Sequence, residues 1–397
     1  MTNRVVITKE IIRNRPYLVT ALFEGQRLTE VSCNAVGSKS MLGSIFIGKI
    51  KRIAKNVGAA FVELWPGETA YLPLSEVKDP LMVKQARAGK LTEEDELVVQ
   101  VVKEAIKTKE PTLSTYITLT GQNLVFTTEN QFLGISKKLN NQDREYFKEL
   151  FAAKKEDWYG LIVRTSAKNN SKEQIFREFD VLYAQFHAIT KQYLYRTCYS
   201  CLYRAPSACI SSVQNYLSLD LERVVTDDAD VYEELKEVFG EGAFPKEEQI
   251  VFYEDKLLSL SALYGLKGKL EDALKERVWL KSGGYLVIQP TEALTVIDVN
   301  SGKSVKGVKK GLNIKINLEA AEEIARQLRL RNISGICIVD FINMDTKEEK
   351  EELVRSLKSH LVKDSVQTVF VDFTKLGLVE ITRKKVKKPL WEQCRGV

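Results

Sequence analysis

The chain has 397 residues, a formal net charge of +6, 44% hydrophobic residues and 28% charged residues, as expected of a globular protein with roughly two to four domains. No apolar segment is long enough to span a membrane, and the N-terminal MTNRVVITKE lacks the apolar core of a signal peptide. The six cysteines are not spaced as a disulfide framework. These totals exclude an integral membrane protein and a disulfide-stabilised secreted domain, and we expect the protein to reside in the cytoplasm.

The first third of the chain has the pattern of β-structure. Residues 1–38 alternate apolar and polar side chains and predict two or three antiparallel strands. Between residues 43 and 77, short apolar segments separated by glycines predict the strands of a small β-barrel. Residues 96–105 and 113–121 are predicted to complete the barrel, and the polar residues 78–95 to form a loop or short helix across its mouth.

The pattern becomes helical near residue 140. Ser171 and Gln174 match a capping box, and an apolar stripe at helical spacing follows them as far as Tyr193. A βαβ-like stretch comes next, with helices expected near 230–239 and 257–276. The remaining chain alternates strands and helices up to about residue 380, which predicts a layered α/β unit.

Polar side chains end two of the strands in this last unit. LTVIDVN ends in Asp298 and Asn300, and CIVDFIN carries Asp340 near its end, whereas the apolar residues of both strands are expected to be buried. Carboxyl ends of strands in a layered α/β sheet gather at one edge, where two carboxylates repel unless a cation separates them. Mg²⁺ is usually held by one or two carboxylates, several waters and phosphate oxygens of a substrate, and it can supply a hydroxide nucleophile. The alternative is that each aspartate caps a turn or pairs with a lysine, and the match between the two strand ends favours the metal site.

The basic segments and the aromatic residues of the predicted barrel each have two possible roles. The basic segments 303–310 (KSVKGVKK) and 383–388 (RKKVKK) are either solvated loops or contacts for a polyanion. In the predicted barrel, Phe61 and Tyr71 alternate with basic residues. Each aromatic ring is either part of the core or a surface on which a nucleic acid base stacks.

Cysteine and histidine positions argue against other chemistry. Cys198 and Cys201 form one pair, and a structural zinc site requires a second pair that the sequence does not contain. The only histidines, His187 and His360, lie on predicted helices far from each other and are expected to be structural. Acid–base chemistry by paired histidines is therefore excluded.

Several of these stretches together resemble the ribonuclease E/G family over essentially the whole chain. The most specific are TEALTVIDVNSGK (291–303), NLEAAEEIARQLRLRNISGICIVDFINM (317–344) and KLGLVEITRKK (375–385). GKIKRIAKNVGAAFVE followed by YLPL resembles the S1 barrel of that family, and GLIVRTSA (160–167) resembles its 5′-monophosphate sensor.

The resemblance implies a multidomain fold that combines α+β and α/β parts. Residues 1–38 and 212–275 would form a split RNase H-like domain. An S1 barrel of the OB type (39–120) and a 5′-sensor region (121–211) would be inserted into it. A DNase I-like α/β catalytic domain (276–397) would follow.

The resemblance also implies an activity and the residues that carry it. The activity is Mg²⁺-dependent endonucleolytic cleavage of single-stranded RNA, such as rRNA precursors or mRNA, to 5′-phosphate and 3′-hydroxyl ends, stimulated by a 5′-monophosphate. The implied residues are the metal-binding pair Asp298 and Asp340 with Asn300 assisting, Arg164 and Thr165 at the RNA 5′ phosphate, and Phe61, Tyr71 and Lys109 for RNA contact in the S1 barrel.

The C-terminal sequence departs from the family pattern. Family members usually carry a CPxC pair whose cysteines from two subunits share a zinc ion, but here valine stands where the cysteine after Cys394 would be. One cysteine per chain supplies two thiolates per dimer rather than four, which argues against a zinc link, although a homodimer is still expected. Because the long scaffold arm of the larger members is missing, we expect a compact, ribonuclease G-like enzyme.

Two other functions fit parts of the pattern. A non-catalytic RNA-binding protein would use only the barrel and the basic segments. A magnesium nuclease that acts on DNA would use the same acidic residues.

Overall fold

The computed structural model describes residues 2–37, 41–85, 89–104, 110–216, 219, 221–239, 247–302, 312–344 and 346–395. The chain divides into two compact units. Unit 1 consists of Met1–Ser38, Leu221–Glu237 and Glu247–Val397, and unit 2 consists of Lys39–Asp220 and Val238–Lys246. Within the part of the chain just defined, no helix has the length and apolarity needed to cross a membrane.

The strands and helices are numbered in chain order. The strands are β1 (Asn3–Ile12), β2 (Arg15–Glu24), β3 (Arg27–Ala35), β4 (Ile45–Ala54), β5 (Ala59–Trp65), β6 (Glu68–Pro73), β7 (Met82–Lys84), β8 (Glu96–Lys103), β9 (Thr112–Ser114), β10 (Thr118–Thr120), β11 (Leu124–Thr127), β12 (Leu133–Ile135), β13 (Gly160–Val163), β14 (Cys201–Tyr203), β15 (Leu221–Thr226), β16 (Ile250–Phe252), β17 (Arg277–Trp279), β18 (Tyr285–Pro290), β19 (Leu294–Asn300), β20 (Gly335–Asp340), β21 (Thr368–Phe373) and β22 (Val379–Arg383). The α-helices are α1 (Asn141–Ala152), α2 (Lys172–Gln192), α3 (Ala208–Tyr216), α4 (Ala229–Phe239), α5 (Leu260–Leu263), α6 (Leu266–Ala273), α7 (Leu312–Leu330), α8 (Lys347–Leu361) and α9 (Leu390–Gln393).

Unit 1 contains a five-stranded sheet in the order β16-β15-β1-β2-β3. The predicted N-terminal strands form antiparallel pairs. Strand β15 pairs with β1 in parallel, and β16, which follows β15 and helix α4 in the chain, pairs with β15 in parallel. Alternation of apolar residues along β2 and β3 directs one face into a core that also contains Leu390 and Cys394 from the C-terminal segment. Both ends of the chain therefore contribute to this core.

The second sheet of unit 1 has the order β17-β18-β19-β20-β22-β21. Only β19 and β20 run parallel, and α7 connects them, as the alternating pattern predicted. Helices α7 and α8 cover one face, where the buried side chains include Ile297, Val299, Cys337 and Val339. Strands β17 and β22 were not predicted from the sequence.

Unit 2 contains the predicted small barrel. Strands β4, β5, β6, β9 and β8 pair in that order, and pairing of β4 with β8 closes the ring. Apolar side chains such as Val62, Leu72 and Val99 fill its interior. The residues expected to cross the mouth as a loop or helix instead include β7, which pairs with β8.

A four-stranded sheet in the order β10-β11-β13-β12 lies beside helices α1 and α2 in the same unit. Part of the segment expected to complete the barrel, β10, belongs to this sheet instead. The capping box at the start of α2 is confirmed, since the Ser171 hydroxyl accepts from the Gln174 amide and the Gln174 side chain accepts from the Ser171 amide. The aromatic stripe of α2 is buried, as predicted.

The helix expected over 257–276 is divided into α5 and α6. Gly265 separates them with φ of +57°, a left-handed conformation that glycine adopts without the steric penalty of a Cβ atom. The structure therefore has two short helices on either side of Gly265 where one long helix was predicted.

Candidate active site

The two aspartates singled out in the sequence lie side by side. In the parallel pairing of β19 with β20, Asp298 is the register partner of Asp340. Register partners on adjacent strands share a face, and their backbones are separated by about one strand spacing of 4.8 Å. Both side chains are exposed. The structure thus brings together two carboxylates that are 42 residues apart in the chain.

Burial alternates along both strands and defines an open face of the sheet, the face that carries Val296, Asp298, Ile336 and Asp340. These four side chains are exposed, whereas those of Ile297, Cys337 and Val339 are buried against α7 and α8. The expectation that all apolar residues of these strands are buried was wrong for Val296 and Ile336. The opposite face suffices for the core, so the open face is available for polar residues that serve a site.

Two asparagines hold the strand ends in place. Asn300 Nδ2 donates to Asp298 Oδ2 at 2.7 Å, which restricts the orientation of that carboxylate. Asn317 on α7 is fully buried, and it donates to the Ile342 carbonyl at 2.7 Å and accepts from the Ile342 amide at 3.1 Å. The second asparagine thereby fixes the backbone two residues beyond Asp340. This role of Asn317 was not predicted, because nothing in the local sequence distinguishes it from other polar helix residues.

The donor set fits Mg²⁺ better than zinc. No lysine or arginine among the described residues forms an ion pair with Asp298 or Asp340, so each carboxylate retains oxygen atoms for a cation. The same portion of the chain contains no group of three or more His, Cys, Asp or Glu residues placed to hold a metal. Two carboxylates with water completing the shell is a usual arrangement for Mg²⁺ and an inadequate one for structural zinc.

Phe61 and Tyr71 lie on the outside of the barrel. They are register partners on β5 and β6, their rings are 6.0 Å apart, and both are half-buried rather than part of the barrel core. The Arg52 guanidinium lies 4.5 Å from the centre of the Phe61 ring. The three residues form a surface with both aromatic rings and positive charge. Lys109 lies outside the described residues.

Arg164 and Thr165 lie together at the end of β13. Arg164 Nη1 donates to the Gly121 carbonyl at 2.7 Å, and the Thr165 hydroxyl is 2.9 Å from the Ser136 hydroxyl. Burial lowers the pKa of Arg164, and the nearby carboxylate of Glu178 opposes this effect. The guanidinium is thus held in position by backbone and by charge.

Glu178 on α2 organises the loop that faces Arg164. Its carboxylate accepts from the Asn123 amide and side chain, both at 2.7 Å, and from the Leu124 amide at 3.0 Å. Burial raises the pKa of Glu178 despite these hydrogen bonds. This role of Glu178 was not predicted, because its partners lie more than 50 residues away in the chain and no sequence pattern connects them.

Cys394 is buried in the core of unit 1, with 1% of its surface exposed. It shares this core with Cys33 of β3, and the neighbouring Gln393 Oε1 accepts from the Cys33 amide at 2.8 Å. The thiol therefore faces the chain's own core.

The structure describes only one of the two basic segments singled out in the sequence. Residues 303–310 lie outside the described residues. In the second segment, Arg383 is buried and its Nε donates to Asp364 Oδ2 at 2.7 Å, so it supports the fold rather than a charged surface.

The amino-acid sequence of this chain is similar to those of known proteins from one family. The model of the ribonuclease E/G family matches residues 118–386. Ribonuclease G of Haemophilus influenzae is 31% identical over 383 residues, which is 93% of this chain and 78% of that protein. Ribonuclease G of Escherichia coli is 30% identical, with the same two coverages. Ribonuclease E of Nostoc sp. is 31% identical over 97% of this chain but only 57% of its own length.

The match extends through both units and includes the strands that carry the two aspartates. The chain belongs to the ribonuclease E/G family.

Proposed function

We propose that the protein is a Mg²⁺-dependent endoribonuclease that cleaves single-stranded RNA to 5′-phosphate and 3′-hydroxyl ends in RNA processing and decay. Membership of the ribonuclease E/G family makes the chain a hydrolase of RNA. The observation that carries the finer proposal is the register pairing of Asp298 with Asp340 on the open face. Neither carboxylate has a packing role there, since both are exposed.

In this proposal the protein positions two carboxylates and an amide around the scissile phosphate. Asp298 and Asp340 would hold Mg²⁺, which when bound supplies a water of lowered pKa and neutralises charge on the phosphate. Asn300 keeps the Asp298 carboxylate in one orientation through its 2.7 Å hydrogen bond. Because Asn317 fixes the segment after β20, the two carboxylates need little reorganisation when substrate binds.

Replacing either aspartate tests the activity. We expect Asp298→Asn and Asp340→Asn to lower the cleavage rate of a 3′-labelled single-stranded RNA at least about a thousandfold, or about 4 kcal/mol of transition-state stabilisation, without weakening RNA binding. Chelation of Mg²⁺ is expected to have the same effect on the unsubstituted protein.

The matched control is Asp372→Asn, which removes an exposed carboxylate from β21 of the same sheet. Full cleavage by both test variants would reject the assignment. Cleavage of the DNA version of the oligonucleotide at an equal rate would favour the DNA nuclease, and binding without cleavage by the unsubstituted protein would favour the non-catalytic alternative.

The second part of the proposal is that Arg164 and Thr165 bind the 5′-monophosphate of the RNA. The support is geometric, since a guanidinium held by the Gly121 carbonyl lies next to a hydroxyl, and both groups donate to phosphate oxygens. We expect Arg164→Ala and Thr165→Val to reduce the ratio of cleavage rates for 5′-monophosphate and 5′-hydroxyl RNA toward one. Arg177→Ala, an exposed arginine on α2, serves as the control. An unchanged ratio in both test variants would contradict the sensor.

The domain assignment is also a proposal. The order β16-β15-β1-β2-β3, with an antiparallel first hairpin and parallel additions, is consistent with a split RNase H-like domain over 1–38 and 212–275. The closed barrel supports an S1 domain over 39–120, followed by a 5′-sensor region over 121–211. The second sheet of unit 1 with α7 and α8 supports a DNase I-like domain over 276–397.

The partners follow from these assignments. Single-stranded RNA would contact Phe61, Tyr71 and Lys109 of the S1 barrel, and the proximity of Arg52 to Phe61 supports that surface. We further propose a cytoplasmic homodimer. Burial of Cys394 beside Cys33 supports a dimer without the zinc link of the family.

A further inference from the structure

An aromatic cluster lies on β17 and β18, the two strands that precede β19 of the candidate active site in the sheet. Trp279 and Arg277 are exposed, and Tyr285 is half-buried. The rings of Trp279 on β17 and Tyr285 on β18 have centroids 5.3 Å apart. The Arg277 guanidinium lies 4.5 Å from the Tyr285 ring centre and 5.7 Å from that of Trp279. We refer to these three residues as the aromatic platform.

Strand register places the aromatic platform on the open face with the acidic pair. Trp279 is the register partner of Tyr285, and Tyr285 is the partner of Asn300. Arg277 is the register partner of Val287, and Val287 is the partner of Asp298, so Arg277 lies on the same face as that aspartate. Since strands are about 4.8 Å apart, the Tyr285 backbone lies about 5 Å from Asn300 and that of Trp279 about 10 Å.

The aromatic platform has no evident packing role on this face. Trp279 has 64% of its surface exposed, and it lies on a three-residue edge strand whose next residue, Leu280, supplies the core contact. An indole contributes to stability chiefly when it is buried, so folding alone does not explain a tryptophan at this position. A ring with an open face and a neighbouring guanidinium is instead suited to a planar ligand that carries negative charge.

We infer that Trp279 and Tyr285, backed by Arg277, stack a base of the RNA next to the phosphate held at Asp298 and Asp340. This inference rests on the proposed function and extends it to the substrate contacts of the catalytic sheet. The aromatic platform acts by positioning, because a stacked base fixes the neighbouring phosphate over the two carboxylates. Stacking tolerates different bases but requires that a base be present.

Abasic substitution tests the stacking directly. The substrate is a fluorescent single-stranded oligoribonucleotide with one main cleavage site, and each nucleotide around that site is replaced in turn by an abasic ribonucleotide. We expect one position at which the missing base lowers cleavage by the unsubstituted protein about tenfold, in keeping with the contribution of one base–aromatic contact. In Trp279→Ala we expect the intact and the abasic substrate to be cleaved at the same rate. In Trp279→Phe we expect the abasic substrate to be cleaved more slowly than the intact one, nearly as in the unsubstituted protein.

Val369→Ala is the matched control, because Val369 is an exposed residue at the opposite edge of the same face. It should preserve the full abasic penalty, and thermal unfolding should show that Trp279→Ala remains folded. Equal abasic penalties in Trp279→Ala and the unsubstituted protein would overturn the stacking while leaving the proposed function intact.

Binding provides a separate readout if no RNA is cleaved, an outcome that would reject the proposed function. The same oligonucleotides are then titrated into full-length Asp298→Asn and into Asp298→Asn with Trp279→Ala. A single abasic position that weakens binding only when Trp279 is present supports the stacking, and identical affinities across the series reject it.

Discussion

The ionisation of Glu323 on α7 depends partly on a residue that is distant in sequence. Its carboxylate is 5% exposed and accepts from Arg326 Nε at 3.1 Å and from Gln327 Nε2 at 2.7 Å, and it also contacts Arg27 of β3. Burial by itself would raise the pKa of Glu323, but these partners lower it below the ordinary value of 4.5. Glu323 lies in the interior of α7, which begins at Leu312, so the positive end of the helix dipole does not account for this carboxylate.

We expect Glu323→Gln to destabilise unit 1 by about 3 kcal/mol at neutral pH, because it removes one partner of a buried ionic cluster. A lowered folded pKa means that Glu323 contributes stability above pH 4.5 and loses it as the pH falls through the folded pKa. The free-energy difference between Glu323→Gln and the unsubstituted protein should therefore shrink below pH 4.5. Urea unfolding at a series of pH values measures it.

Glu322→Gln is the control at the adjacent position. Glu322 pairs with Arg27 at 2.8 Å, but its side chain is 51% exposed, so its replacement should cost less than about 1 kcal/mol. A difference for Glu323→Gln that stays constant with pH would show that its charge does not matter.

At the scale of elements, strands and helices with a clear local pattern were predicted correctly, whereas strands defined mainly by long-range pairing were not. The capping box of α2 follows from residues close together in sequence, and each barrel strand, like β19 and β20, follows from its own local apolar pattern. Strand β22 was not predicted, because it pairs with β20 only after the excursion through α8 and β21. The platform strand β17 is too short for any periodicity to reveal it.

The candidate site divides along the same line. Asp298, Asn300 and Asp340 were predictable because two strands carry the same polar ending. Asn317 was not, since no pattern in the sequence marks the contact of its side chain with the Ile342 backbone.

The junction of β18 with the end of β19 leaves no room for a side chain at Gly284. A Cβ atom there would lie 2.8 Å from the Asn300 carbonyl oxygen, a backbone atom that cannot move without shifting β19. We expect Gly284→Ala to destabilise the protein by about 1–3 kcal/mol and to lower RNA cleavage more than tenfold, because Asn300 orients Asp298. Thermal unfolding and cleavage assays measure the two effects.

Gly268→Ala is the corresponding control in α6, where an added Cβ would meet no atom within 4 Å. It should stabilise the protein by up to about 1 kcal/mol through helix propensity and leave cleavage unchanged. If Gly284→Ala behaved in the same way, the packing at this junction would not position Asn300.

At the scale of the whole molecule, unit 1 is assembled from segments at opposite ends of the chain. Arg329 of α7 pairs with Glu30 of β3 at 2.9 Å and with Glu24 of β2 at 3.2 Å. No sequence pattern indicates such pairings, because each joins residues about 300 positions apart.

The C-terminal helix α9 completes the core under the N-terminal sheet. Leu390 is fully buried in that core, its amide donates to the Arg331 carbonyl at 2.8 Å, and Gln393 accepts from the Cys33 amide of β3. The first and last parts of the chain should therefore lose structure together when either is destabilised.

We expect Leu390→Ala to lower the stability of unit 1 by about 2–5 kcal/mol, the usual cost of a cavity in a packed core. Hydrogen exchange followed by mass spectrometry should show reduced protection in β1, β2 and β3 although the substitution lies more than 350 residues beyond them. Leu376→Ala, at a position 88% exposed, should leave the same peptides unchanged. Faster exchange restricted to α9 would mean that the C-terminal helix only covers the N-terminal sheet and does not stabilise it.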